Sequence, residues 1–258
     1  MTGLAPPSQP ARLPGHRVTS SGIVIRWGEE QARVGPWRAD RSVAFLVPTG
    51  PPPSVRFVRR CLHLLAEQGF GTVITGALPP AEQRSFLEAG FVAQEYLHLL
   101  VLDLSLPLLP LPPSPRLYRA GRSRRRQLLA VDGACFSAFW RIDEAGLREV
   151  LAATERHRLR VALGDKRFVI GYAVCGATGR RGFVQRLAVS PGAQGHGIGK
   201  RLLLDGLYWM RSLGVQEVAV NTQVGNATAL SLYRRAGFQD DAAGLCVLSA
   251  ELVHGRDG

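Results

Sequence analysis

The chain has 258 residues, of which 46% are hydrophobic and 20% charged, enough apolar side chain for one large domain or two smaller ones. Lys and Arg number 32 against 20 Asp and Glu, and residues 116–258 carry +10 of the net +12. This composition excludes a wholly disordered chain, and no run of about 20 apolar residues offers a membrane-spanning helix; the closest, Leu97 to Leu111, is broken by Asp103, Pro107 and Pro110.

In chain order, residues 1–16 hold four prolines without apolar periodicity and are expected to be a flexible tail. The first 20 residues have no apolar segment of the kind a secretory signal needs, so a soluble, cytoplasmic protein is expected. Cys61 to Gln68 is predicted to be helical and to stop at Gly69; Thr72 to Ala77 follows as a strand, then a helix over Glu82 to Ala89 that leads into Gly90-Phe91. Ser105 to Arg116 has five prolines in 12 residues, which neither feed a sheet ladder nor continue a helix. The stretch therefore predicts a stiff linker over 106–115, dividing a smaller α/β domain at 17–105 from a second domain at 116–258.

The second part predicts mixed α/β structure. Leu117 to Ala120 is a short strand, a helix follows through Arg125 towards Phe136, and Asp143 opens another. Arg158 to Leu163 and Phe168 to Cys175 read as a hairpin, and Gly182 to Val189 as a further strand. A helix runs from about Ile198 to Leu213 and ends at Gly214. Val215 to Thr222 is a strand, Ala227 to Arg235 a short helix closed by Gly237, and Leu245 to Leu252 a last strand. The order helix, Gly, strand, helix, Gly-Phe thus occurs twice, which fits either a duplicated half-domain or two ordinary αβα runs.

Cys61, Cys135, Cys175 and Cys246 are too scattered for a metal pair or a disulfide framework, and no metal is expected. The positive charge is almost all Arg, with Lys166 and Lys200 the two exceptions. Six arginines between Arg116 and Arg126 allow a nucleic-acid role, but a solvated strand and helix face explains them more simply, so neither nucleic acid nor membrane is the expected partner.

The chemistry-bearing stretch is RLAVSPGAQGHGIGKRLL, Arg186 to Leu203. A strand ends at Val189, and Gln194-Gly195-His196-Gly197-Ile198-Gly199 opens a helix. Glycines at 195, 197 and 199 let backbone N–H groups crowd a ligand, and these are also the orphan donors at the positive end of the helix dipole. Together they make a pyrophosphate cradle, to which Lys200 adds a charge. The Walker A pattern fails because Gln194 replaces its first glycine and Arg201 follows Lys200; the dinucleotide pattern fails because position 200 is lysine.

Val189-x-Pro191, Gln194-Gly-x-Gly-x-Gly199, Asn226 and Ala229-Leu-x-Leu-Tyr233-x-x-x-Gly237-Phe238 occur in this order. This series resembles the acetyl-CoA-binding core of the GNAT N-acyltransferase superfamily, strongly across 183–238 and plausibly across 116–252. The resemblance implies a mostly antiparallel mixed sheet flanked by helices. It also implies acetyl-CoA as co-substrate, held by Leu187, Ala188, Val189, Gln194, Gly195, His196, Gly197, Ile198, Gly199, Lys200, Asn226 and Tyr233. An N–H near Val189 would polarise the thioester carbonyl, Tyr233 would protonate the departing thiolate, and a primary amine would attack directly.

The pattern departs from the family at the base. Ribosomal-protein N-terminal alanine acetyltransferases, which resemble this segment, carry a glutamate five residues before the asparagine; here Asn221 stands there and is the catalytic candidate, alone or through water with Gln223. Gln185 and Arg186 occupy the strand positions where other members carry an acid. Asp132, Asp143, Glu144 and Cys135 fall in the region that walls the acceptor groove, but each reads more simply as surface or core, and Phe136, Phe139 and Trp140 as a packed helix face. In the first part Thr49-Gly50-Pro51-Pro52-Pro53-Ser54 takes the place of the phosphate loop, and prolines cannot donate, so no CoA is expected there. A tandem GNAT with one degenerate half, as in mycothiol-synthase-like proteins, is the implied architecture. A catalytically weak CoA-binding sensor or interaction module is the competing function, and the acceptor's identity is not legible.

Overall fold

A computed structural model describes residues 22–38 and 40–252; the expected tail at 1–16 lies outside the described residues. The strands are β1 (Ile23–Trp27), β2 (Glu30–Trp37), β3 (Asp40–Pro48), β4 (Thr72–Leu78), β5 (Val92–Asp103), β6 (Leu117–Arg119), β7 (Arg156–Leu163), β8 (Val169–Thr178), β9 (Arg181–Val189), β10 (Glu217–Gln223) and β11 (Gln239–Glu251). The helices are α1 (Val55–Glu67), α2 (Pro80–Glu88), α3 (Arg125–Cys135), α4 (Glu144–Ala152), α5 (Ile198–Ser212) and α6 (Ala227–Arg235). No helix of the described residues is long and apolar enough to cross a membrane.

Local chemistry explains most boundaries. Ser54 caps α1 by accepting from the Phe57 N–H, Asp143 caps α4 through Gly146, and Asn226 caps α6 through Ala229. α1 and α5 both end on a glycine in the left-handed region, Gly69 at φ +85 and Gly214 at φ +80. α2 and α6 end the same way at Gly90 and Gly237, with the next N–H returning from Phe91 to Phe86 and from Phe238 to Tyr233.

All strands join one sheet in the order β1-β2-β3-β4-β11-β5-β10-β9-β8-β7-β6. Only β3–β4 and β9–β10 pair in parallel. Apart from β6, the order reads the same from both ends when β1–β5 are matched with β7–β11 and α1, α2 with α5, α6. The repeated sequence order is therefore a structural repeat of a mixed, mostly antiparallel α/β unit.

The repeat closes by exchange. β11 of the second part lies between β4 and β5 of the first, and β5 lies between β10 and β11 of the second. Neither half completes its sheet from its own chain. β11 also starts at Gln239, well before the expected Leu245, because β5 gives its early residues an antiparallel partner.

Apolar side chains separate the two faces. Leu100, Leu102, Val218 and Val220 pack under α5 and α6, and Cys246, Leu248 and Ala250 under α1 and α2. The paired residues Cys246 and Tyr96 share a face, so these four helices all cover one side of the sheet. On the other side α3 and α4 cover Val161, Tyr172, Val174 and Ala188, while Phe139 and Trp140 lie over Leu97, Leu99, Phe183 and Ala219 at the centre.

Candidate functional site

β9 and β10 pair only at Arg181–Phe183 with Glu217–Ala219 and then part. The cause lies in β9: Val184 faces Cys175 and Arg186 faces Val174, so Gln185 is an extra residue that bends the strand. Since Ser190 donates to Ile170 on β8, alternation turns the Ala188 peptide groups towards β8 and those of Leu187 and Val189 into the gap. The same logic on the β10–β5 ladder, with Leu104 donating to Gln216, turns the Asn221 backbone into the gap. The parted strands thus leave the Leu187 and Val189 N–H groups and the Asn221 backbone without a strand partner, where an extended ligand could lie.

The Val189 carbonyl accepts from Gln194 Nε2 at 3.0 Å and from Cys135 Sγ at 3.2 Å. Burial pushes the Cys135 thiol up, which keeps it protonated and able to donate. The chain then makes a short 3₁₀ turn at Pro191–Ala193 and enters α5 through Gly195 (φ +80) and Gly197 (φ +76). Both conformations suit glycine alone without strain, and a Cβ at either place would meet nothing within 4 Å. From Gly195 to Lys200 no backbone N–H finds an acceptor among the described residues; the first helical bond runs from Arg201 to the Gly197 carbonyl. Lys200 is exposed, His196 bonds its own loop through Nδ1 to Gln194 O, and buried Ile198 anchors the turn. Gly199 packs near Leu232 of α6, where a Cβ would make an ordinary contact 3.4 Å from Leu232 Cδ2.

Tyr233 is 5% exposed on α6 and packs on Phe238 with ring centroids 5.7 Å apart. Burial, with Cys175 as a secondary cause, drives its pKa well above the ordinary phenol value, so it is held more firmly protonated. Asn226 is the helix cap, its Oδ1 3.1 Å from the Ala229 N–H. Asn221 is exposed on β10, and Gln223 ends the strand on the same face.

The opposite face explains the missing acids. Arg186 bonds Asp132 Oδ2 at 2.5 Å and the Tyr172 hydroxyl at 3.0 Å, while its guanidinium lies 3.9 Å from the Phe136 ring centroid. Asp132 is fully buried and also accepts from Tyr172 and from the Ile142 N–H, so its carboxylate is consumed. Asp143 is spent as a cap and Glu144 on Arg125. Arg186 further holds the Trp140 carbonyl at 2.8 Å, fixing the loop that lies over the sheet centre.

Side chains of the first half, given no part by sequence reasoning, reach this loop. Arg38 donates to the carbonyls of Phe139 and Arg141, and Trp37 packs on Phe139 at 5.8 Å. Glu95 of β5 accepts from Trp140 Nε1 and from Gln223 Nε2. The alternation of Glu95 with Leu97, Leu99 and Val101 is the sequence signal that places its side chain on that face. At the repeat's equivalent of the glycine loop, the first half is closed differently: Glu30 accepts from both the N–H and the hydroxyl of Ser54, and three prolines precede that cap. A carboxylate of the chain itself therefore sits at the start of α1.

The acetyltransferase (GNAT) family model matches residues 126–238. Among curated proteins, the chain is similar to a mycothiol acetyltransferase of Pseudarthrobacter chlorophenolicus, 46% identical over 57 residues (22% of this chain, 18% of that protein). It is similar to N-alpha-acetyltransferase 30 of Schizosaccharomyces pombe, 37% identical over 83 residues (30% and 55%). A mycothiol acetyltransferase of Rhodococcus jostii matches at 29% over 180 residues (62% and 58%). The chain thus spans less than two-thirds of each of these relatives. Among solved structures, a tandem GNAT protein from the clavulanic acid biosynthesis pathway superposes with a TM-score of 0.67 at 14% identity, over 89% of this chain and 82% of that one, a likeness of fold covering both halves.

Proposed function

We propose, from the premise that residues 126–238 are a domain of the acetyltransferase (GNAT) family, that the chain transfers an acetyl group from acetyl-CoA directly to a primary amine. The observation that carries this reading is the run of six acceptor-free N–H groups, Gly195 to Lys200, at the start of a 15-residue helix. A diphosphate supplies the acceptors those donors lack, with the helix dipole and Lys200 adding favourable charge. The parted backbone edges of Leu187, Val189 and Asn221 suit the amide-bearing arm of CoA, and Gln194, His196 and Asn226 shape the loop and the start of α6 through bonds to the backbone.

When bound, acetyl-CoA supplies the activated thioester. The chain's own residues then divide the remaining work. The Leu187 and Val189 N–H groups point into the gap as donors for developing negative charge, a contribution of the kind whose loss costs about 10²–10³ in rate. Tyr233 is the residue this reading assigns to protonate the leaving thiolate, although burial makes it a weaker acid than an ordinary phenol. Ala188 contributes packing beneath α3 rather than an amide, because its peptide groups turn to β8. The first half, with Glu30 at its helix start, is read as the half without CoA.

The direct test is calorimetry. Acetyl-CoA should bind the wild type, and Gly197→Val should abolish binding by placing a branched side chain where the donors converge, in a conformation such a side chain resists. Steady thiol release with added amines should follow and separates a transferase from a CoA sensor. Absence of acetyl-CoA binding to the wild type would overturn the reading.

A further inference from the structure

An acceptor amine is mostly ammonium at neutral pH, since a primary alkylamine has a pKa of about 10, and it must lose a proton before it attacks. Where the strands part, neither brings a carboxylate: β9 offers Gln185 and Arg186, β10 offers Asn221 and Gln223, and Glu217 lies in the paired stretch beside Arg181. Asp132, beneath the same loop, is fully consumed by Arg186, Tyr172 and Ile142.

The strand exchange supplies what these strands lack. β5 of the first half is the immediate neighbour of β10, and it carries Glu95 on the face under Trp140. The carboxylate of Glu95 is partly buried and gripped at both oxygens, by Gln223 Nε2 on Oε1 and by Trp140 Nε1 on Oε2, each at 2.5 Å. Each oxygen keeps a further lone pair free. Both donors are neutral, and among the described residues no Lys, Arg or His nitrogen lies within 4.0 Å of this carboxylate. In a chain with 32 basic side chains, a carboxylate fixed in place by two other elements and left without a cation is a site for an incoming one. Gln223 links it to the gap, because β10 turns its backbone edge into that gap two residues earlier, at Asn221.

We propose that Glu95, donated by the first half, binds the ammonium of the acceptor and accepts its proton. In that step an N–H bond breaks, its electron pair stays on nitrogen, an O–H bond forms on the Glu95 carboxylate, and the proton leaves to water. The edge-to-face stack of Phe139 on Trp140 at 5.0 Å, extended by Trp37, forms an apolar wall beside the carboxylate. This assigns the acceptor class: a primary ammonium carried next to an apolar or aromatic body. The proposal rests on the acetyltransferase reading for its chemistry, but its ammonium site exists independently of that reading.

The experiment uses the full chain with phenethylammonium as probe. Calorimetry should show the probe binding the wild type and binding Glu95→Gln at least about tenfold more weakly, as expected when a charge-assisted contact is lost. Acetyl-CoA affinity should be unchanged in the variant, which also shows that the variant is folded. With acetyl-CoA and phenethylamine, kcat/KM of Glu95→Gln should fall by about 10² or more. No probe binding to the wild type, or equal binding by both proteins, overturns the proposal. Failure of the wild type to bind acetyl-CoA instead removes the transferase reading, while the probe isotherms still decide the ammonium site.

Discussion

Replacing Asp132 by Asn tests whether the network beneath the Trp140 loop is held by charge. The side chain of Asp132 is 0% exposed and that of Arg186 is 9% exposed, so the pair sits where water cannot take over from either partner. Asn keeps the bond from the Ile142 N–H with its one oxygen and so turns its amide N–H₂ towards Tyr172 and Arg186, leaving the guanidinium with the Trp140 carbonyl and the Phe136 ring. Removing one partner of a buried pair costs about 3–5 kcal/mol. For a chain of this size each kcal/mol corresponds to about 2–4 °C, so thermal melts followed by circular dichroism should drop by about 6–20 °C. A double variant, Asp132→Asn with Arg186→Met, removes the stranded charge and should recover most of that loss. A single variant melting within 1 °C of wild type would refute the reasoning, as would a double variant less stable than the single one, because each would mean that the charge pair does not hold the network.

Gly206 of α5 packs against Cys175, and a Cβ there would lie 2.3 Å from the sulfur. Gly206→Ala should therefore lose about 1–3 kcal/mol despite a helix-propensity gain of about 1, and the loss should vanish or reverse in a Cys175→Ala background. A simple additive cycle, read from urea unfolding, would contradict the close contact. Burial also pushes the Cys61 and Cys175 thiols up to about 12. Because the folded pKa exceeds that of an unfolded thiol, near 9, the associated stability is complete below about pH 9 and is lost as pH rises from there towards 12. The two thiols together should cost about 3 kcal/mol at pH 10, measured as the alkaline loss that wild type shows beyond a Cys61→Ala, Cys175→Ala variant; equal losses in both proteins would refute it.

The glycine loop and its helix were legible because each signal is local. Gly214 ends α5 where it was expected to, Gly195 and Gly197 take the left-handed conformations that glycine permits, and Asn226 caps α6. The repeat was visible for the same reason, since Gly69, Gly90, Gly214 and Gly237 punctuate both halves alike. β1 to β3 were not anticipated. Their burial follows no clean alternation, and Gly35 and Pro36 interrupt β2. From sequence, β5 is visible only as the start of the apolar run Leu97 to Leu111 that Asp103 and two prolines break, though its place between two partner strands is what gives Glu95 its direction.

The amino-acid sequence by itself determined the local elements and the glycine-rich entry into α5, because helix caps, left-handed glycines and strand alternation act over a few residues. Only the tertiary structure decided that β5 and β11 trade places between the halves, because pairing partners more than about 110 residues apart leave no mark on local pattern. That exchange sets the Glu95 carboxylate of one half next to β10 of the other, and no spacing within the second half could have announced it.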